Sequence, residues 1–446
     1  MNKEQIFKYL HFAHPTEEQA QVLKAMEAFI SEADPYDFLI LCGAAGTGKT
    51  SITAALIGYL NSLGRQYRIA APTGRAARII GRKAKATTST IHSLIYLPET
   101  NDQTGVVTFH LKSCEDQVYT IFIIDEASMI PKKVDQENLF NVEKGLIFDL
   151  IAYVKGSNVN NKIIFLGDRY QLPPIGKQES SALNKDFLET TFNLKGHSYL
   201  LKEVKRQEDG SYILENATET RKAIDRFEKS HPIKGAQNSS IYTAADKYVQ
   251  GMKKDGLDHQ ITISVTHKAN RYFNDLVRER VFGRAKKILE PGDLLLVTQN
   301  WYRNSVHLYN GDHVELVSID WGLQEQVAGL HFVAVKVRVL FSETEIIIED
   351  YAILETILSP GGVLDVRLEN ELKRQRYTKN QIFKDSGRAS DDRYVGALRL
   401  TYGHAITCNK AQGGEWKKVF INTLGIPSLK WQYTAVTRAI DEIEKF

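Results

Sequence analysis

The residues best equipped for chemistry lie in a glycine-rich stretch, "GAAGTGKT" (43–50). Gly43, Gly46 and Gly48 let backbone N–H groups close around phosphate oxygens. Lys49 is spaced to reach the β- and γ-phosphates of a nucleoside triphosphate, and the Thr50 hydroxyl to ligand Mg²⁺. A plain glycine turn is the alternative, but it would not need Lys49 and Thr50 in register. Asp125 and Glu126 close the apolar run "YTIFIIDE" (119–126). Asp125 suits Mg²⁺, directly or through water, and Glu126 suits orienting and activating an attacking water. "FLGDRYQLPPIG" (165–176) puts Asp168 and Gln171 at the end of another apolar run. Gln171 is a candidate γ-phosphate sensor; the bland alternative is a proline-stiffened turn. Arg206 in "LKEVKRQ" and Arg438 in "YTAVTRA" are candidate fingers. A guanidinium that neutralises charge developing on the γ-phosphate is worth about 10³–10⁵ in rate. On isolated sequence each is otherwise a surface arginine on a helix.

A second set of residues suits a different ligand. "AAPTGRAARIIGRKAK" (70–85) offers Thr73 and Gly74 at a predicted helix N-terminus, where backbone N–H groups hold phosphate, followed by Arg75 and Arg78. Arg82, Lys83 and Lys85 read as a solvated helix face. "TTSTIHSL" (87–94) adds hydroxyls and His92, and "AITCNKAQGGEW" (405–416) supplies Thr407, Asn409 and Lys410. Small hydroxyls, an amide and scattered cations fit a sugar-phosphate backbone and carry little base information.

These residues need a sheet edge to gather them. The run "FLILC" (38–42) leads into the glycine loop, and apolar residues at helical spacing follow it: Ile52, Ala55, Leu56, Tyr59, Leu60 and Leu63. Further apolar runs at 67–72, 119–126 and 162–168 alternate with helical segments, which predicts a parallel sheet covered on both faces. The pattern restarts with "ITISVTH" (261–267) as a strand and 268–283 as a helix. Residues 288–360 hold strand-like runs broken by turns such as Asn310-Gly311, as in a small antiparallel barrel. Residues 367–393 are polar and read as an exposed helix or mobile loop, and the α/β pattern resumes with "ALRLTYGHAIT" (397–407).

Bulk properties set the bounds. The 446 residues predict two to four domains, with 43% hydrophobic and 25% charged residues, as in ordinary globular chains. A net charge of +3 permits nucleic acid without demanding it. Cys42, Cys114 and Cys408 are too scattered for a disulfide framework or a zinc site, so a reducing, cytoplasmic setting is expected. No signal peptide or membrane span is expected.

In order, "TEEQ" (16–19), "GAAGTGKT", "AAPTGRAA", "TIHSL", "IIDEASM", "GDRYQLPPIG", "EVKRQ", "VTHKANRYFN", "ITCNKAQGGE" and "YTAVTRA" resemble the motifs of superfamily 1B DNA helicases, the RecD-like and Dda-like branch. "QLPPIG" and "NKAQGGE…AVTRA" are the restrictive ones. The resemblance spans residues 16–439. It implies an α/β fold of two RecA-like P-loop domains, parallel sheets flanked by helices, with an inserted SH3-like β-barrel module and a small β-hairpin insert. The expected bounds are 1–200 for the first domain, with the hairpin at 95–118; 201–287 and 394–446 for the second; and 288–393 for the module.

Carried over residue by residue, the resemblance implies that Gln19 reads the adenine edge. Gly43, Gly46, Gly48, Lys49, Thr50, Asp125 and Glu126 would hold and hydrolyse ATP·Mg²⁺. Gln171 would couple the γ-phosphate to the strand groove, Arg206 and Arg438 would be the fingers, and Glu415 would approach the ribose. Pro72, Thr73, Arg75, Thr90, His92, His267, Asn270, Thr407 and Asn409 would face DNA, on the side opposite ATP. Asn409 stands where the branch often has histidine; it keeps a phosphate hydrogen bond and loses the titratable ring. In "IYLPETNDQTGVVTFHLKS" (95–113) the resemblance implies a separation hairpin, with Phe109 or His110 as the wedge. An ordinary surface hairpin is the alternative.

The implied activity is ATP-driven 5′→3′ translocation on single-stranded DNA with unwinding at junctions between single and double strands. The chain would act as a monomer in replication, repair or recombination. Arg438 lies close to the last residue, so no C-terminal partner domain is expected. The rivals are a strand translocase that displaces proteins and unwinds poorly, and a nucleotide-controlled clamp on single strands.

Overall fold

The run Phe38–Gly43 is buried at every position, as a strand inside a parallel sheet covered on both faces must be. A computed structural model describes residues 5–12, 14–100, 107–113, 118–131, 145–174, 180–203, 212–284, 286–303, 306–340 and 345–446. The chain divides into two compact units, one of residues 1–98 and 109–211, the other of residues 99–108 and 212–446.

The first unit is built on a six-stranded parallel sheet. Its spatial order is Thr88–Thr90, Gln66–Ala71, Thr120–Ile124, Lys162–Gly167, Phe38–Gly43 and Gly196–Leu201. Side chains alternate across it. Leu39, Leu41, Ile121, Ile123, Ile164 and Leu166 join a core with helices Glu17–Phe29 and Lys49–Ser62. Phe38, Ile40, Phe122, Ile124, Ile163 and Phe165 join a second core with helix Leu146–Ser157. Strands Tyr96–Thr100 and Val107–Leu111 pair as a separate ribbon.

The second unit holds two sheets. One is parallel, in the order Ala405–Thr407, Gln260–Ser264, Trp416–Ile421, Ala439–Lys445 and Gln237–Asn238. Helices Ile241–Asp255 and His267–Phe282 pack on it through Tyr248, Phe273 and Val277. The other is antiparallel, in the order Ile347–Ile353, Leu330–Val339, His313–Val327, Leu294–Val297 and Leu400–Tyr402. Its first strand also meets the chain entering its last one. Ile353 N donates to Leu398 O at 3.1 Å, and Leu398 N to Tyr351 O at 2.8 Å.

Two sequence expectations change. The α/β pattern is expected to resume at "ALRLTYGHAIT", but Leu400–Tyr402 still belongs to the antiparallel sheet and only Ala405–Thr407 joins the parallel one. Of the two readings of the polar segment 367–393 the helix holds, but the segment is not exposed on every side. It forms helices Val366–Lys379 and Gln381–Ser386, which bury Leu372, Tyr377 and Phe383 against Phe332 and Tyr394. Its Glu369 is buried because Arg399 binds both carboxylate oxygens at 3.0 Å. That pairing lets charge be buried where composition suggests exposure.

Candidate functional site

In the six-stranded sheet every strand runs the same way, so the loops that follow the strands leave one carboxyl edge. Strands Thr120–Ile124, Lys162–Gly167 and Phe38–Gly43 are neighbours. Their loops therefore bring together Asp125 and Glu126, Asp168 and Gln171, and the glycine loop. Gly167 permits close approach: a Cβ there would lie 2.7 Å from Leu183 Cδ1 and 3.2 Å from Ser128 N.

The glycine loop is shaped by Gly46 and Gly48, at φ of 82° and 88°, the left-handed region that other residues enter only at a cost. Gly48 caps helix Lys49–Ser62. The Lys49 ammonium donates to the carbonyls of Gly43 and Ala44, and Thr47 Oγ1 to Ala44 O at 2.9 Å. Gln19 is buried and reaches the same loop. Thr16 and Gln19 form a reciprocal capping box, and Gln19 Nε2 donates to Thr47 O at 3.0 Å.

Burial pushes the Asp125 carboxyl above the ordinary carboxylate range, against the opposing pull of the Glu126 backbone N–H and the Lys49 and Lys83 ammonium groups. A hydroxyl at Thr50 and a desolvated carboxylate at Asp125 are the hard oxygen donors that Mg²⁺ takes, so this donor set fits the ion. Glu126 sits at φ 48° and ψ 36°, a left-handed conformation uncommon for a residue with a side chain. Such outliers cluster at functional sites. Gln171 is 5% exposed, and its Oε1 has no hydrogen-bond partner among the described residues; the same holds for Ser128 Oγ. Two unpartnered polar atoms on adjoining motif turns are what a polar ligand would satisfy. Cys42 lies beneath: burial, then Asp168, pushes its thiol up to about 11.

Thr73 and Thr90 follow the strands at the other end of this sheet. Each caps a short helix, accepting from Ala76 N at 3.3 Å and Ser93 N at 3.1 Å. They leave the same carboxyl edge as the glycine loop, displaced along it. Pro72 is half-buried, whereas Arg75 is buried. His92 is held below its ordinary value by burial. The two wedge candidates separate. Phe109 packs on the core, its ring 6.3 Å from that of Tyr96, while His110 is exposed. The hairpin tip, 101–106, and Arg206 lie outside the described residues.

In the second unit Arg438 is buried at the end of helix Leu429–Val436. Its guanidinium donates to Thr434 O and Gly414 O at 3.1 Å and to Thr437 Oγ1 at 3.0 Å. Trp416 N donates to Arg438 O at 2.9 Å, so Glu415 is bracketed by two bonds to Arg438.

A groove of about 490 Å³ runs between helix His267–Phe282 and the antiparallel module. His267, Thr407 and Lys410 line it from one side, Gly361 and Thr401 from the other. Asn270, expected to face a strand, lines the same groove and is also tied into the fold. It is 6% exposed, and with its amide oriented to match donors with acceptors it donates to Ser264 Oγ and Ile406 O and accepts from Thr407 N. It ties two strands together and so positions Thr407. Thr407 and Asn409 are half-buried at the short helix Cys408–Ala411. Lys410 Nζ donates to Asn310 Oδ1 at 2.6 Å, and burial lowers its ammonium to about 8. The His267 ring is lowered by burial and by Lys410.

Sequence reasoning did not single out the turn at Pro360–Gly362. Gly361 and Gly362 have φ of 69° and 72°, and a Cβ on Gly361 would lie 2.8 Å from His267 Cε1. The adjacent glycines were the available signal.

Comparison with known proteins gives two family matches: the AAA domain over residues 15–238 and the UvrD-like helicase C-terminal domain over 402–442. The chain is similar to the ATP-dependent RecD2 DNA helicase of Deinococcus radiodurans, 32% identical over 36% of this chain and 18% of that protein. It is also similar to the ATP-dependent DNA helicase dda of Enterobacteria phage T4, 26% identical over 58% of this chain and 56% of that one. It thus spans little more than half the length of one curated relative and a fifth or less of the other. A crystal structure of Pif1 helicase from Bacteroides in complex with ADP-AlF3 and ssDNA shares the fold, with a TM-score of 0.50 at 15% identity, covering 97% of this chain and 92% of that one. None of the described helices is long and apolar enough to cross a membrane.

Proposed function

The chain carries an AAA domain and belongs to the superfamily 1B helicases, and from that premise we propose that it is an ATP-dependent DNA helicase. It translocates 5′→3′ along single-stranded DNA and separates duplex at junctions. The observation that supports this most is the convergence of three motif loops at neighbouring strand ends: Lys49 with the glycine loop, Asp125 with Glu126, and Gln171 with its unpartnered oxygen.

Lys49 would exchange its carbonyl partners for the phosphates. Glu126 would orient the attacking water and accept its proton, and Gln171 would read the γ-phosphate. Thr50 and Asp125 would hold Mg²⁺, which neutralises charge on the phosphates. Arg438 and Arg206 would serve as fingers, and Glu415 would meet the ribose. Thr73, Thr90, His267 and Thr407 would grip the strand through its backbone. The antiparallel sheet fits an SH3-like module. Separating a duplex costs about 1.4 kcal/mol per base-pair step on average.

The test is steady-state ATP hydrolysis with and without single-stranded oligonucleotide, in wild type and Lys49→Ala. Strong stimulation that the variant loses supports the reading, and tailed duplexes then give polarity. Hydrolysis indifferent to oligonucleotide would leave a P-loop ATPase with another partner.

A further inference from the structure

The groove beside His267 is not closed at its far end. A second pocket of about 390 Å³ adjoins it, and the two share Arg271, Asp275, Leu358 and Tyr402 as lining. The second pocket adds Arg278, Lys286 and Lys287. The shared threshold is ordered: Arg271 Nε binds Asp275 at 3.0 Å, its Nη1 donates to Ile357 O at 3.2 Å, and its guanidinium lies 5.0 Å from the Tyr402 ring centre. Asp275, the acidic group lining the pocket, is therefore neutralised by Arg271. Arg278 is neutralised in turn by buried Asp293, at 2.6 Å. Lys286 and Lys287 make no ion pair among the described residues. Lys287 is exposed, with its ammonium 6.0 Å from the Trp321 ring centre. The surplus positive charge of this pocket thus resides on two lysines, Lys286 and Lys287. A positively charged groove that tracks the backbone is what a single strand of nucleic acid takes, its phosphates on the lysines.

We propose that the strand path runs past Arg271 into the pocket at Lys286 and Lys287, so that this end of helix His267–Phe282 holds further nucleotides. Arg278 lies about 10 Å along the axis beyond Arg271 at 1.5 Å per residue. That is room for about three stacked nucleotides at 3.4 Å each. This rests on the reading of the His267 groove as a strand site.

The test compares Lys286→Glu/Lys287→Glu with the charge-matched Lys253→Glu/Lys254→Glu, whose lysines are exposed at the end of another helix. Binding of oligothymidylates of graded length is followed by anisotropy across a salt series. Loss of two phosphate contacts lowers the slope of log K against log salt by about 1.4, at roughly 0.7 per contact for single strands. The occluded length shortens by about three nucleotides, and the shortest oligonucleotides bind as they do to wild type. Equal slopes and lengths in the two double variants would overturn the extension alone. A wild type that binds no oligonucleotide of any length would overturn the underlying reading and this one with it.

Discussion

Gln19 Nε2 donates to Thr47 O at 3.0 Å while Gln19 Oε1 accepts from Thr16 N at 3.0 Å. Both ends of one buried amide are fixed, so the first long helix is clipped to the glycine loop. Gln19→Glu turns the donor into an acceptor facing the Thr47 carbonyl. A loss of about 1–3 kcal/mol in stability is expected from the unpaired buried group, with a several-fold rise in KM for ATP. Thermal unfolding and hydrolysis kinetics check both. An unchanged KM alongside a lowered Tm would confine Gln19 to a structural role.

Gly361→Ala adds a methyl group against His267 and strains a left-handed residue, at roughly 1–2 kcal/mol for the backbone alone. Gly425→Ala is the control, since Gly425 has φ 73° with open space around it. The first variant should raise the half-saturating concentration of single-stranded DNA three- to tenfold and leave KM for ATP unchanged. The control should do neither. Equal effects from both would mean that the turn does not position His267.

Lys410 titrates near 8 because burial disfavours its charged form. Its folded value lies below its ordinary 10.5. The native state therefore releases the proton first, and the destabilisation present at neutral pH is relieved between about 8 and 10.5. Strand binding moves the other way: affinity should fall as pH rises through about 8, as the ammonium is lost. Lys410→Arg keeps its charge throughout, so its affinity profile should be flat from pH 7 to 9. A wild-type profile equally flat would remove Lys410 from the strand site.

Shortening residues 98–107 to a tight turn should abolish unwinding of a tailed duplex and spare DNA-stimulated hydrolysis. Within the ribbon the roles divide. His110→Ala should slow unwinding with little change in Tm, whereas Phe109→Ala removes a ring packed on Tyr96 and should cost about 1–2 kcal/mol, less than a fully buried phenylalanine. Full unwinding by the shortened chain would rule out a wedge.

The glycine loop and the carboxylates beside it were the legible part because their signals are local. Strand Phe38–Gly43, the glycines and helix Lys49–Ser62 are contiguous, and Asp125 and Asp168 each follow their own apolar run. What escaped depends on partners far along the chain. Nothing near Asn270 says that Ile406 and Thr407 will claim its amide. Glu369 looks solvated until Arg399 is placed beside it. The split of "ALRLTYGHAIT" between two sheets is invisible to periodicity, since both halves are apolar strands.

Gly403 and His404 alone separate those halves, and each is bound to a different sheet. Gly403 N donates to Leu294 O at 2.8 Å, and His404 O accepts from Thr262 N at 3.0 Å. The joint has no slack in it. A shift of the antiparallel module therefore reaches Thr407 through two residues, each hydrogen-bonded to a different sheet, as a crank handle turns its shaft.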